Sequence, residues 1–338
     1  MPKPKVSVMS LGYNHGQYAD QTLTSIRQQS FEDWELLVLD DGSTDNTWEI
    51  LQTHAREDKR IQAFTQKNRG RMHIADNVNF MLEKTRSEFV CTIATDDYWP
   101  TDRLEKQYPV HEASNDLILS YGRVNVFNSG GVLKDYPRPP QTGLFDSKQV
   151  LRWLLLMQSS IQPVSIMIRK NALQKIGGFQ QMKNYPVEDY PTYLKLLTLP
   201  GKVQYLDTLL GYWRVSDTQL TQAFLTDVPE AAFHIATTYY DSLSTQEKNN
   251  IGLSKKEILN AHYSKTLLPS YLVAMRKALV QKDKSKAQRF ALELLRRGDG
   301  KRKVQGLFGT VAAQFGWNLE TIFSRYEAVA KPQSKSLA

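Results

Sequence analysis

Two apolar runs in the first hundred residues, WELLVLD at 34–40 and EFVCTIA at 88–94, each lead into consecutive aspartates, Asp40-Asp41 and Asp96-Asp97. Uninterrupted apolar runs of this kind are typical of strands covered on both faces. Around them, KVSVMSLGYN and IQAFTQ also read as strands. Ala19, Leu23 and Ile26, and then Ile74, Val78, Met81 and Leu82, fall at helical spacing. Asn46 followed by Glu49 gives the start signal of a further helix, in the manner of a capping box. Strand and helix alternate, which predicts a mostly parallel sheet flanked by helices. Later strands are expected at DLILSYGRV, VSIMIR, KVQYLD and LGYWRV. Helices are expected at DSKQVLRWLLLM and NALQKIG, the latter stopped by Gly177-Gly178.

In such sheets ligands gather at the carboxyl ends of the strands. Adjacent carboxylates repel and are costly to bury, so each pair needs a cation or hydrogen-bond donors. One reading is a divalent metal, Mg2+ or Mn2+, carrying a diphosphate. The other is that one Asp of each pair caps a helix while its neighbour is solvated. Two pairs at equivalent positions favour the first reading.

Other chemistries lack their residues. No Gly-x4-Gly-Lys-Ser/Thr phosphate loop and no G-x-G-x-x-G follows the first strand, and Gly42 stands where a calcium loop wants an acid. No HxxxH or HExxH spacing suits a zinc hydrolase. The single cysteine, Cys91, rules out an internal disulfide and reads as a buried structural thiol.

The strings VSVMSLGYN, SIRQQSFEDWELLVLDDGSTDNT, NRG, EFVCTIATDDYW, IRKNALQKIGGF and EDY occur in the order and spacing of glycosyltransferase family 2, so residues ~5–215 resemble that family. The resemblance implies a nucleotide-sugar-dependent, inverting enzyme of the GT-A fold, with a central, mostly parallel sheet. It implies that Tyr13 stacks on the base and that Asp41 accepts the base N–H. An acceptor there favours a UDP- or dTDP-sugar and leaves GDP-sugars open, with Asp40 bracing the loop. Asp97 and Asp96 resemble the metal motif, with Asp96 also placed to meet substrate, although Ala94 stands where the family's first acid is common. Asp189 resembles the general base that takes the acceptor hydroxyl's proton. Glu188 beside it joins the substrate-binding set and raises the pKa of Asp189 by repulsion. Arg214 is expected to pair with a phosphate, while Ser216 stands where many relatives carry His. Asn68 and Gly70 match the family, and nothing is carried over from Arg71 to Asn79.

Charge separates the two ends of the chain. Residues 251–338 hold 17 Lys and Arg against 6 Asp and Glu, a net +11, leaving residues 1–250 at 26 against 29, a net −3. Strand signals end near residue 225, so the expected division is a catalytic domain at 1–225, a basic helical region at 226–330 and a disordered tail at 331–338. The helical region suits peripheral contact with an anionic membrane, where lipid-linked sugar acceptors reside, or equally a bundle packed on the catalytic domain. Nucleic-acid binding is not expected. With no signal-peptide pattern and no long apolar span, the expected location is cytoplasmic, with the inner membrane face as its site of action.

The leading expectation is a metal-dependent transferase that moves a sugar to a carbohydrate or lipid-linked acceptor. A sugar-1-phosphate nucleotidyltransferase would need a Gly-rich G-x-G-T-R loop, which LGYNHGQ does not supply. The rival from another class is a catalytically silent nucleotide- or sugar-binding module acting through its basic tail.

Overall fold

The computed structural model describes residues 3–128, 130–135, 139–215 and 226–315. These divide into two units: the described residues of Met1–Gln222 with His234–Lys255, and those of Ala223–Phe233 with Lys256–Ala338.

The first unit is built on one sheet. Its strands are β1 (Val6–Gly12), β2 (Trp34–Asp40), β3 (Ile61–Thr65), β4 (Phe89–Ala94), β5 (Leu117–Asn128), β6 (Gly131–Asp135), β7 (Gly143–Asp146), β8 (Met167–Arg169) and β9 (Lys202–Arg214). The order is β3-β2-β1-β4-β8-β5-β9-β7, with β6 paired to β5. β3, β2, β1 and β4 run parallel, and β8 is antiparallel to both its neighbours. The helices are α1 (Gly16–Arg27), α2 (Thr47–Glu57), α3 (Ile74–Lys84), α4 (Arg103–Glu112), α5 (Ser147–Leu155), α6 (Lys170–Lys175), α7 (Asp189–Leu196), α8 (Asp227–Ser242) and α9 (Thr245–Ile251), the start of α8 lying in the second unit.

All seven residues of β2 are buried, as an apolar run covered on both faces requires. Each buried Leu or Val there contributes about 1.5–3 kcal/mol, which fixes the strand that ends on the first acid pair. Cys91 is buried in β4, and burial raises its thiol pKa. KVQYLD and LGYWRV, expected as two strands, are one long β9, because register shifts against β5 absorb the irregularity between them. α6 stops at Gly177 and Gly178, both at φ +83, a conformation glycine adopts without strain.

The start of α2 differs from expectation. Asn46 makes no side-chain cap, and Asp45 does the work instead: its Oδ1 accepts from Thr47 N at 3.0 Å and its Oδ2 from Gly16 N at 2.9 Å. One carboxylate thus serves two helix starts; burial opposes its charge, but the Thr47 hydroxyl and these amides together hold its pKa below the ordinary value.

The second unit is helical, with α10 (Lys255–His262) beginning at the end of the first unit, then a π-helical turn, α11 (Leu268–Val280), α12 (Lys284–Arg297) and α13 (Gly300–Phe315). Its core joins Tyr271, Met275, Phe290, Leu294 and Ala312. Among the described residues no helix is long and apolar enough to cross a membrane.

Candidate active site

Pairing of β1 with both β2 and β4 brings three strand ends level: Gly12 lies opposite Asp40, and Leu11 opposite Ala94. β1 is the point where the strand order reverses, and sheets of this kind open a crevice there. The loops beyond are tied to one another. Asp41 N donates to Gly12 O at 2.9 Å, Thr95 N to Leu11 O at 3.1 Å, and His15 N to Thr47 Oγ1 at 2.8 Å.

The two acids of the first pair have different surroundings. Asp40 accepts from the Ser43 amide and hydroxyl and from Thr65 Oγ1 at 3.0 Å, so it braces the turn. Asp41 accepts from Gln66 Nε2 at 2.7 Å and Arg69 N at 3.2 Å, both at Oδ1. Among the described residues Oδ2 takes no donor, which leaves an oriented acceptor for a ligand. Tyr13, just past β1, is 45% exposed, so it is not a core aromatic and its ring is available to a flat partner.

The second pair is held from two sides. On α1, Thr22 Oγ1 lies 2.9 Å from Thr95 O and 2.6 Å from Asp97 O. Ser25 Oγ accepts from Trp99 N, and Gln29 Nε2 donates to Pro100 O. From β9, Arg214 N donates to Asp97 Oδ1 at 2.8 Å, and Tyr98 stacks on Tyr212 at 4.2 Å. His15 Nδ1 is 2.7 Å from Thr95 Oγ1, and its Nε2 is 3.9 Å from Asp96 Oδ2.

Arg214 is itself held against the second pair. Its Nε donates to Asp96 O at 2.7 Å, one terminal nitrogen reaches Gln21 Oε1, and the guanidinium lies 4.1 Å from the Tyr18 ring and 4.4 Å from the Phe127 ring. These contacts make it a buried brace for the acid loop. Ser216 lies outside the described residues.

Burial, and then the charge of Asp96, push the Asp97 carboxyl well above the ordinary carboxylate range, against the opposing amide and charge of Arg214. Among the described residues no group of three or more His, Cys, Asp and Glu is arranged to hold a metal. Two adjacent buried carboxylates with excess negative charge do fit a hard divalent ion that takes its remaining ligands from phosphate and water.

Glu188 and Asp189 sit half-buried at the start of α7. The segment before them is docked on α3: Asn79 exchanges hydrogen bonds with Phe179 N and O, and Gln181 bonds Ala75 N and Arg71 O. α3 also supports Asp41, because Gln66 Nε2 bonds both Asp41 Oδ1 and Asn77 Oδ1 at 2.7 Å. No hydrogen bond or ion pair joins Asp189 to Asp41, Asp96 or Asp97; its Oδ1 accepts from Tyr190 N at 2.6 Å.

Burial, and then the Asp189 charge, raise the Glu188 carboxyl to about 8. Burial also raises Asp189. A carboxyl with a folded pKa above its unfolded value contributes stability that is full below about 4.5 and is lost as pH rises through about 8. Glu188→Gln is therefore expected to melt like the parent at pH 4 and to gain on it as pH rises. The gain should level off above pH 8 at about 2 kcal/mol, discounted for partial solvent access. Melting temperatures across that pH range check it, and a constant difference at every pH would refute it.

The glycosyl transferase family 2 sequence model matches residues 7–177, which carry β2, β3, β4, all but the first residue of β1, and both aspartate pairs. The chain belongs to glycosyltransferase family 2. It is 30% identical over 220 residues to TuaG of Bacillus subtilis, named for a glycosyltransferase role in teichuronic acid biosynthesis, covering 65% of this chain and 82% of that one. It is 23% identical over 268 residues to B. subtilis EpsH, named as a glycosyltransferase, covering 76% and 74%. In fold it is similar to residues 1–349 of S. aureus TarS, solved with UDP-GlcNAc, at TM-score 0.63 and 15% identity over 96% of this chain and 92% of that one. It is also similar to the mannosyltransferase PcManGT of Pyrobaculum calidifontis, solved with GDP-Man and Mn2+, at TM-score 0.57 and 18% identity over 94% and 87%. The mixed α/β architecture is that of the GT-A transferases, and this family member is an enzyme that transfers sugars.

Several supports of this glycosyltransferase site escaped sequence reasoning. Thr22 and Ser25 on α1 and Gln29 just beyond its end recur at spacings of three and four, but their partners at 95–100 are remote in the chain. Gln66 and Asn77 carried no pattern of their own.

Proposed function

We propose that the protein is an inverting, divalent-cation-dependent glycosyltransferase. It moves a sugar from a nucleoside-diphosphate donor, UDP or dTDP favoured, to an acceptor hydroxyl in polysaccharide or glycoconjugate biosynthesis. The observation that carries this reading is the convergence of Asp41, with its open Oδ2, and the buried Asp96-Asp97 pair at level strand ends.

Each group then has a task. The base lies on Tyr13 and gives its N–H to Asp41 Oδ2. Asp97 and Asp96 would hold Mn2+ or Mg2+, whose contribution is to neutralise the diphosphate charge as it builds on the leaving group. Asp189 accepts the proton of the acceptor hydroxyl while that oxygen forms its bond to the anomeric carbon. The bond from that carbon to the diphosphate breaks on the opposite face, which inverts the configuration. The UDP-GlcNAc and GDP-Man complexes of the fold neighbours support a nucleotide sugar as donor, and both bases present an N–H to such an acceptor.

A thermal-shift screen of nucleotide sugars with Mn2+, followed by nucleoside-diphosphate release from the best donor, tests the assignment. UDP- or dTDP-sugars should stabilise the protein more than CDP-sugars. Asp41→Ala should weaken UDP about ten-fold, the worth of one hydrogen bond to a charged group, and leave CDP unchanged. Binding of a donor without release of its nucleoside diphosphate under any condition would make this a silent binding module instead.

A further inference from the structure

His15 is fixed in backbone and ring, yet Nε2 makes no hydrogen bond among the described residues. The loop that carries it is pinned on either side. Asn14, at φ +55, gives its N–H to Ser43 Oγ at 2.8 Å and takes that of Thr44 at Oδ1, also at 2.8 Å. Gly16 N is held by Asp45, and His15 N by Thr47 Oγ1. The ring follows, because Nδ1 lies 2.7 Å from the hydroxyl oxygen of Thr95. A Cβ on Gly12 would stand 2.3 Å from that oxygen, so β1 ends on the one residue that leaves room for it.

Thr95 is fully buried, and among the described residues His15 is the only partner of its hydroxyl. A buried O–H without an acceptor is costly, so the hydroxyl donates to Nδ1. The ring hydrogen is then on Nε2, which lies 3.9 Å from Asp96 Oδ2. That gap is too long for a hydrogen bond, and a ring nitrogen bearing hydrogen does not ligate a metal. The gap does suit one oxygen within hydrogen-bond reach of both groups. Such an oxygen must accept from Nε2 and donate to a carboxylate, which a hydroxyl does and an ionised phosphate oxygen does not. Asp96 can serve it alongside its other contacts, since a carboxylate accepts at several positions.

We propose that His15 and Asp96 together clasp a ribose hydroxyl of the donor nucleotide, His15 donating and Asp96 accepting. His15 stands two residues from Tyr13 and beside the second acid pair. Of a nucleotide's parts, the ribose is the one that joins base to diphosphate and carries hydroxyls. The inference rests on the nucleotide-donor reading and adds a ribose-selective residue to it. Where the hydroxyl held is the 2′ one, the same clasp selects UDP over dTDP, which the contact to the base N–H does not.

Binding of UDP, 2′-deoxy-UDP and 3′-deoxy-UDP with Mn2+ to the full chain and to His15→Ala tests it. In the parent, at least one deoxy analogue should bind about ten-fold more weakly than UDP. His15→Ala should weaken UDP but not that analogue, cutting the preference to about three-fold or less, the part that Asp96 still supplies. Equal binding of all three nucleotides by the parent would overturn the clasp while leaving the donor reading intact, and this arm decides even where the variant does not fold. Equal weakening of UDP and both analogues in His15→Ala would also overturn it, since that is the mark of a loop that has lost its shape. A parent that binds neither UDP nor dTDP with Mn2+ would overturn the donor reading and the clasp with it.

Discussion

Replacing Asp189 by Asn is expected to lower sugar transfer about 10³-fold, the scale of a lost general base, while the protein still folds and binds donor. Asn is nearly isosteric and can still accept from Tyr190 N, the bond that orients Asp189. What it cannot do is take a proton. The parent carboxylate lies beside Glu188, and no basic side chain lowers its pKa, so removing its charge relieves repulsion and should not lower the melting temperature. Nucleoside-diphosphate release with donor and acceptor present, alongside a thermal melt, separates the outcomes. A variant retaining a tenth or more of parental turnover would place the base elsewhere. A variant that loses activity only because it unfolds would give Asp189 a structural role.

The sequence revealed the strand ends and their acids because those signals are local: an apolar run, a doublet and a turn sit within a few residues of one another. It divided the roles of Asp40 and Asp41 only through resemblance. The physical difference is that Ser43 and Thr65 satisfy Asp40, while Asp41 receives donors on one oxygen. The bracing contacts of Arg214 were not legible, because the two rings and the Asp96 carbonyl it meets are distant in the chain. The capping box at Asn46 failed for a similar reason, since it is Asp45 that accepts the Gly16 amide and so serves a second helix start remote in the chain.

Asp97→Asn is expected to separate function from stability. The variant keeps an oxygen for Arg214 N and removes one of two adjacent buried charges, so its melting temperature without ligand should equal or exceed the parent's. Its transfer rate should fall 10²–10³-fold, because the diphosphate charge is no longer answered where it develops. Stabilisation by UDP with Mn2+, about 2.7 kcal/mol at one hundred times Kd in the parent, should largely disappear. Chelation of divalent ions should bring the parent down to the variant's level in both rate and thermal shift. If the variant kept its Mn2+-dependent shift, the cation would bind elsewhere. If it melted well below the parent, the pair would be a structural element whose charge is already compensated. Groups that destabilise the fold they occupy persist where a ligand makes up the deficit, so a stable but inactive variant is the signature that distinguishes a binding site from a scaffold.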